Sequence, residues 1–458
     1  MSHPLSKLVF FFSIGFFGLF FVWPIGEILR GAFVGSDGRF TFDFISEVFR
    51  NPIYVEGLWN SLQMGVWSTL LAATIAIPLA WISDRFLFPG KSLLSSLLLV
   101  PMILPPFVGA IGIKQILGQQ GALNAFLEST GLMNPHHPID WLGEGRLWGI
   151  ILLNALHLYP VLYLNVIAAL ANVDPAMEEA AVNLGCTGLR KFRRITLPLI
   201  MPGVFAGGTI VFIWSFTELG VPLMFDFTRI TSVQIFQGIK DIGGNPFPFA
   251  LVVVLLASTL LLYATSRFFF GQNSHAMMAK STSQGGPRKA GWFVGWLCTS
   301  LFSLVTLLAI LPHIGVVMVA FSSDWYYSIL PNGWTLSHFE SALGHNLTLS
   351  SIQNSLKYAS LATILDLILG VAIAYVVTRT QLPGRQILDA MAMLPLAVPG
   401  LVLAFGYLSM TQEGQLFSAL NPTIDPLVIL VIAYSVRRLP YVVRSAAAGF
   451  QQTSVTME

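Results

Sequence analysis

The chain has 458 residues, of which 55% are hydrophobic and only 10% are charged, and its mean hydropathy is +0.72. An ordinary soluble domain carries about 25% charged residues, so this composition argues against a water-soluble fold. The formal net charge of +2 is too small to indicate binding of nucleic acid.

Apolar runs long enough to cross a membrane recur along the whole chain. A helix needs about 20 residues to cross about 30 Å of hydrocarbon. The sequence therefore predicts an all-α, polytopic membrane protein with ten spans. In chain order these are residues 8–30, 60–82, 93–117, 147–170, 199–223, 248–270, 292–320, 351–377, 388–411 and 425–448.

The first predicted span follows Lys7 and lacks a small-residue cleavage site, so we expect it to be retained rather than removed as a secretory signal. If the N-terminus is cytosolic, the loops on the inner side carry more Lys and Arg than those on the outer side. That distribution follows the positive-inside rule and predicts a cytosolic N-terminus.

The segment 271–291, GQNSHAMMAKSTSQGGPRKAG, separates the sixth and seventh predicted spans. It is polar and contains several Gly and Ser residues, a composition typical of a flexible linker. It divides the chain into a first domain, 1–270, and a second domain, 292–458.

The two halves repeat one another, which is the feature to look for before assigning a fold. Motifs recur at a constant offset of 294 and, after a longer loop in the first half, at an offset of 280. The matches include Asn60 with Asn354, Arg85 with Arg379, Pro101 with Pro395, Pro105 with Pro399, Pro160 with Pro440 and Glu178 with Glu458. The halves are predicted to be tandem domains of about six spans each, with the last two spans of the second expected beyond Glu458.

The segment between the fourth and fifth spans, residues 174–198, reads DPAMEEAAVNLGCTGLRKFRRITLP. Asp174 is a good N-cap for a helix that begins at Pro175, and Glu178 would meet the positive end of its dipole. Gly185 can adopt the positive φ on which helices often end. The pattern predicts a short amphipathic helix that stops at this glycine.

A second helical stretch should follow, because Leu189, Phe192 and Ile195 recur at three-residue steps and Pro198 precedes the next span. Two short helices that meet at a glycine and share an apolar face would form a compact projection. Such a projection can dock in a groove of a partner protein.

This segment resembles the EAA loop of permease subunits of binding-protein-dependent ABC importers. The family pattern is Glu-Ala-Ala, three residues, Gly, nine residues, Ile, one residue and Leu-Pro, and the segment has a match at every defined place. The resemblance covers nearly the whole chain, as in fused two-domain permeases for ferric iron, thiamine or phosphonates. It implies two tandem MetI-like permease domains, of which the second is incomplete here.

By the same resemblance, the loop docks on a cytosolic ATP-hydrolysing subunit. The residues assigned to docking are Glu179, Ala180, Ala181, Leu184, Gly185, Phe192, Ile195, Leu197 and Pro198. The implied partners are two copies of an ABC ATPase, a periplasmic solute-binding protein and membrane lipid. ATP and Mg²⁺ are expected on the ATPase subunits, and the implied location is the bacterial inner membrane.

The sequence indicates no chemistry of its own. It lacks the glycine-rich G-x-x-x-x-G-K-[ST] loop that holds nucleotide phosphates, and no Cys/His group has metal-ligand spacing. No nucleophile has a supporting base. We therefore expect no catalytic residues, no metal site and no bound cofactor.

Several ionisable residues fall inside predicted spans, where charge is costly and is usually functional or paired. The candidates for a translocation path among them are Glu218, Asp366, His157 and Arg437. Two interpretations stay open: that they line a translocation path, and that they stabilise contacts between helices.

The expected function is transport by alternating access, driven by ATP hydrolysis in the partner. The alternatives are a secondary transporter driven by an ion gradient, which would also have repeats and buried carboxylates, and a membrane anchor without a path. Fused permeases are frequent among ferric iron importers, and on that association alone ferric iron is the favoured solute.

Overall fold

The computed structural model describes residues 4–35, 37–142, 146–239, 245–270 and 287–453, and within them the chain is mostly helical. The helices of the first half are α1 Pro4–Phe17, α2 Trp23–Phe33, α3 Asp43–Arg50, α4 Pro52–Arg85, α5 Lys91–Leu97, α6 Pro106–Leu117, α7 Ala122–Ser129, α8 Leu147–Leu170, α9 Pro175–Asn183, α10 Gly188–Lys191, α11 Leu197–Phe216, α12 Gly220–Met224, α13 Thr231–Gly238 and α14 Phe247–Phe270.

The described part of the second half contains six further α-helices: α15 Trp292–Phe321, α16 Ser337–Gly344, α17 Asn346–Arg379, α18 Arg385–Met393, α19 Gly400–Met410 and α20 Leu427–Gln452. Among the described residues, four short strands form two pairs. β1 Phe86–Leu87 is parallel to β2 Arg288–Lys289, and β3 Ser322–Asp324 is antiparallel to β4 Gly333–Trp334. Of the predicted linker, residues 271–286 lie outside the described residues.

The helix bounds follow the sequence repeat. Both α4 and α17 have 34 residues, and they begin and end at the same offset of 294. The start of α8 corresponds to the start of α20 at the offset of 280. The internal repeat inferred from the sequence is therefore visible in the placement of the helices.

Seven helical stretches in the described residues are long and apolar enough to cross a membrane, and two bent helix pairs raise this number to nine. The prediction of ten spans is higher than this. The tenth predicted span corresponds to α20. This helix is long enough to cross a membrane, but it carries Arg437, Arg438 and Arg444, which are too many charged residues for a membrane span judged by composition.

The two bent pairs are the third and ninth predicted spans. The helix axes turn by 98° between Met102 and Pro106 and by 102° between Leu396 and Gly400. At each break a proline, Pro105 or Pro399, has an extended backbone with ψ near 140°. Because proline donates no hydrogen bond and disfavours helix before it, these spans cannot continue straight.

The described helices belong to two compact units that draw on both halves. The first comprises Met1–Val55, Gln234–Leu262 and Ser341–Glu458, and the second comprises Glu56–Val233 and Tyr263–Glu340. The predicted domains are consecutive along the chain, whereas these units are interleaved. The domain boundaries 1–270 and 292–458 thus describe the sequence repeat and stay a prediction.

Within each unit, the helix that begins one half packs on the broken span of the other half. A methyl group on Gly112 of α6 would lie 1.9 Å from the carbonyl oxygen of Pro312 in α15. At the equivalent position in the other unit, a methyl on Gly406 of α19 would lie 2.8 Å from Cβ of Pro24 in α2. These glycines let the two helix backbones approach closely, as small residues do in membrane proteins.

Candidate functional site

The segment between α8 and α11 forms a helical hairpin, which we call the 174–198 loop. Its first helix, α9, begins as predicted: the carboxylate of Asp174 accepts a hydrogen bond from the backbone N–H of Ala176 at 2.9 Å, and Pro175 is the first helical residue. The carboxylate of Asp174 satisfies one of the N–H groups that lack a partner at the start of a helix, and Pro175 has no N–H group to satisfy. The predicted N-cap is confirmed.

The same helix ends at Gly185, which has φ of +79°. The N–H of Cys186 donates to the carbonyl of Ala181 at 2.8 Å, and the N–H of Gly185 donates to that of Val182 at 2.9 Å. This pair of bonds is the Schellman arrangement, which requires a left-handed residue at the position of the glycine. The predicted stop at Gly185 is confirmed, and its cause is the backbone conformation.

The second helical stretch differs from the prediction. It contains a four-residue helix, α10, followed by a π-helical turn over Phe192–Thr196 that leads into α11. The ring of Phe192 lies edge-on against Trp81 of α4, with 5.8 Å between ring centroids. Phe192 thus packs against the chain's own span rather than standing free for a partner.

Two leucines form the apolar tip of the hairpin. Leu184 is 88% exposed and Leu189 is 73% exposed. Of the other residues assigned to docking, Glu179, Ala180, Gly185 and Pro198 are exposed, Ile195 and Leu197 are half-buried, and Ala181 is buried. The tip and the exposed face of α9 are therefore the accessible part of the assigned surface, and the assignment itself stays a prediction.

Behind this face lies a charged cluster that the sequence did not predict. The carboxylate of Glu178 accepts hydrogen bonds from the guanidinium of Arg85, from Oγ1 of Thr196 at 2.7 Å and from Nζ of Lys191 at 3.3 Å. We call these four residues the Glu178 cluster. The side chain of Glu178 is only 12% exposed, and those of Arg85 and Lys191 are also largely buried.

The electrostatics of the cluster favour ionised Glu178. Burial alone would raise its pKa, but hydrogen bonds from Arg85 and Thr196, with the charges of Arg85 and Lys191, outweigh burial. Together they lower the pKa from 4.5 to about 2. The sequence alone indicates only that Glu178 lies near the positive end of the helix dipole. The available signal was the repeat, in which Arg85 and Glu178 both recur.

The first unit contains the equivalent arginine. Arg379, equivalent to Arg85, donates to the carbonyls of Phe450 and Thr453, both at 2.8 Å, and its guanidinium lies over the ring of Phe450 at 5.7 Å. It thus holds the end of α20, where the second loop of this kind is expected to begin. Glu458, the equivalent of Glu178, lies outside the described residues.

Glu218 occupies a break between helices. The fifth predicted span stops at Phe216, and α12 starts at Gly220. The carboxylate of Glu218 accepts hydrogen bonds from the N–H groups of Gly220 at 2.9 Å and Val221 at 3.3 Å. It therefore caps α12, which is a structural role that a half-buried carboxylate can fill without a cationic partner.

The other three candidates for the translocation path contact neighbouring helices. Asp366 is buried between α17 and α20, near Ser435 and Arg438. His157 bonds to the backbone of Pro101, and its equivalent Arg437 donates to the carbonyl of Val398 at 3.3 Å. His157 and Arg437 thus both bind backbone next to a broken span. Whether any of these residues lines a path stays a prediction.

The described parts of the chain contain no group of three or more His, Cys, Asp or Glu side chains that could hold a metal ion. The predicted absence of a metal site and of a bound cofactor stays a prediction.

Residues 72–272, which include the whole 174–198 loop, match the family described as the inner membrane component of binding-protein-dependent transport systems. A protein of Haloferax volcanii named as a molybdenum ABC transporter permease is 30% identical over 54% of this chain and 85% of its own length. The chain belongs to this permease family. It is thus a multi-pass inner membrane protein with a MetI-like fold.

Two relatives match the permease over most of its length. A protein of Haemophilus influenzae named as a ferric transport system permease is 25% identical over 96% of this chain. The ferric transport system permease protein of Actinobacillus pleuropneumoniae is also 25% identical, over 91% of the chain. The chain spans 68% and 58% of the lengths of these two relatives.

Proposed function

We propose that this permease forms the transmembrane pathway of an ATP-driven importer, and that its 174–198 loop docks on the ATP-hydrolysing subunit. The geometry of the loop carries the proposal. Its tip exposes Leu184 and Leu189, while its base is fixed by the Glu178 cluster. Burying one leucine in a partner's groove contributes about 1.5–3 kcal/mol, so a rigid hairpin with two exposed leucines is suited to docking.

In this mechanism the loop and the N-terminus face the cytosol, in accord with Arg190, Lys191, Arg193 and Arg194 in the loop. Two copies of an ABC ATPase bind ATP and Mg²⁺ and close on one another. A periplasmic binding protein delivers the solute on the other side. Closure of the ATPase pair moves the docked loops, and the permease changes the side to which its pathway opens.

The proposed solute is ferric iron. Its support is the likeness to two ferric transport permeases over more than nine-tenths of this chain. The test is uptake of radiolabelled iron by cells that carry the permease with the ATPase and binding protein encoded beside it. Molybdate and sulfate uptake in the same cells serve as controls. Uptake of either anion in place of iron would exclude the iron assignment and leave the transport mechanism intact.

Coupling through the loop is tested by Gly185→Leu. A branched residue at φ of +79° costs about 1–2 kcal/mol, so the Schellman end should shift and move Leu184 with it. We expect solute-stimulated ATP hydrolysis and uptake in proteoliposomes to fall about tenfold or more. The matched control is Gly131→Leu, since Gly131 also has a positive φ, +71°, and open space around its Cα but lies outside the loop.

Normal uptake and normal stimulated hydrolysis in Gly185→Leu would contradict the docking assignment. Solute flux without any ATPase would instead establish the secondary transporter. A third result, labelling of Cys186 by an impermeant maleimide in intact cells, would place the loop outside the cell and overturn the orientation.

A further inference from the structure

The Glu178 cluster joins the 174–198 loop to the end of a membrane-spanning helix. Arg85 is the last residue of α4, and Glu178 lies 93 positions later on α9. Lys191 and Thr196 approach the same carboxylate from α10 and from the turn that leads into α11. One carboxylate therefore connects α4, both helices of the loop and the start of α11.

The connection is largely shielded from water. The exposed fractions of the three charged side chains are 22% for Arg85, 12% for Glu178 and 17% for Lys191. Ion pairs on an open surface contribute little to stability, whereas removal of one member of a buried pair leaves the other charge uncompensated. The cluster should therefore hold its geometry when force acts on the loop.

Aromatic side chains also connect the 174–198 loop to α4. The guanidinium of Arg85 lies over the ring of Trp81 at 5.6 Å, and Trp81 packs edge-on against Phe192 of the loop. Cation–π contacts of this kind are attractive and become stronger when they are shielded from water. Since Trp81 and Arg85 lie one helical turn apart on α4, the loop contacts this helix at two successive turns.

At its other end, α4 is tied to the segment before α13. Glu56 pairs with Arg229 at 3.1 Å, and the amide of Asn60 donates to the carbonyl of Arg229 at 2.7 Å. A helix of 34 residues is about 50 Å long, at about 1.5 Å per residue. The same helix thus carries a buried ionic contact at the loop and a more exposed one at its far end.

We propose that Arg85 and Glu178 are positioning residues that transmit movement of the 174–198 loop to α4, so that binding of ATPase to the loop and rearrangement of the spans occur together. This inference rests on the proposed function. Arg379, the equivalent of Arg85 at the end of α17, also connects its helix to another one, through the backbone carbonyls of Phe450 and Thr453 at the end of α20.

The decisive variants are Glu178→Gln and Arg85→Met, which remove the charge at nearly constant volume. The permease is reconstituted with its ATPase and binding protein. Three quantities are measured: the affinity of the ATPase for the permease, basal ATP hydrolysis, and hydrolysis stimulated by solute-loaded binding protein. We expect affinity and basal hydrolysis to stay within about twofold, and stimulation and uptake to fall about fivefold or more, within the usual range of coupling energies.

The conservative variant Arg85→Lys keeps the charge and should recover part of the stimulation, which a loss of folding would not allow. The matched control is Glu56→Gln, which breaks the exposed ion pair at the opposite end of α4 and should leave stimulation unchanged. The midpoint of thermal unfolding of each variant identifies any variant that fails to fold. If Glu178→Gln or Arg85→Met fails, the stimulation measured in Arg85→Lys decides the test.

Full stimulation in Glu178→Gln would overturn the proposal. A parallel loss of ATPase affinity and stimulation would also overturn it, because the cluster would then only maintain the docking surface. If the unaltered permease binds no ATPase, the proposed function itself fails, and this result is distinct from either outcome in the variants.

Discussion

Glu178 is ionised in a nearly enclosed position because three donors converge on it. Its folded-state pKa of about 2 lies below the ordinary value of 4.5, so the cluster contributes its full stability above pH 4.5 and loses it as pH falls towards 2. Asp84 lies close enough for its carboxylate to be repelled by that of Glu178. The loop should therefore be insensitive to pH around neutrality.

This gives a prediction for the mobility of the loop. A nitroxide on Cys186, in a Cys298→Ser background, should stay immobile from neutral pH to 4.5 and become mobile between 4.5 and 2. Electron paramagnetic resonance measures the change. In Glu178→Gln the label should be mobile throughout. A label in that variant as immobile as in the unaltered loop would show that the carboxylate does not hold the hairpin.

At the scale of residues, the sequence predicted those features of the loop that depend on residues close together in the chain. The cap at Asp174 and the stop at Gly185 are local, since their hydrogen bonds reach at most five residues. The partner of Glu178 was missed because Arg85 is 93 residues away, and only tertiary packing brings the two together. Their joint recurrence in the repeat was an available but indirect signal.

At the scale of helices, the close crossings are fixed by single glycines. Gly112 of α6 leaves no room for a side chain against the backbone of Pro312, and Gly406 of α19 repeats this contact with Pro24. Such crossings depend on the absence of Cβ atoms rather than on apolar area, because lipid is as apolar as a helix surface.

We therefore expect Gly112→Ala to destabilise the permease by about 1–3 kcal/mol, the usual cost of overpacking. Thermal unfolding in detergent measures the effect. The control is Gly208→Ala on α11, where the added methyl would meet only Thr69 Cγ2 at an ordinary 3.8 Å. Equal midpoints for the two variants would show that α15 shifts readily and that the crossing is not tight.

The broken spans show the limits of prediction at this scale. The sequence identified Pro105 and Pro399 only as a match in the repeat, and a turn of about 100° depends on the neighbouring helices that contact the second segment. The offset of 294 between α4 and α17 was predicted because both halves keep the same spacing of motifs, but the predicted spans 60–82 and 351–377 are shorter than these helices.

At the scale of the whole molecule, each compact unit is made from both halves of the sequence. The unit that contains α4 to α12 also contains α15, and the unit that contains α17 to α20 also contains α1 and α2. The repeat locates the two halves along the chain. The exchange of first helices could not be predicted from it, because motif spacing carries no information on which half a helix packs against.

The exchange predicts how a divided chain behaves. Residues 1–270 expressed alone lack α15 and should be degraded, as should residues 287–458, which lack α1 and α2. Expressed together, the fragments should accumulate and copurify, which a tag on one fragment and immunoblotting of the other would measure. Stable accumulation of either fragment alone would mean that each half buries its own broken span without the other.

The short parallel pairing of β1 with β2 bears on how this protein can be engineered. Phe86 and Leu87 hold Arg288 and Lys289 in register, and the N–H of Ala290 donates to the carbonyl of Leu87 at 3.0 Å. The segment that joins the halves is therefore hydrogen-bonded to the chain one residue beyond Arg85, before α15 begins. Purification tags and fluorescent proteins inserted before Pro287 should leave the pairing of β1 with β2 intact, whereas an insertion between Pro287 and Gly291 should disrupt this pairing next to the end of α4.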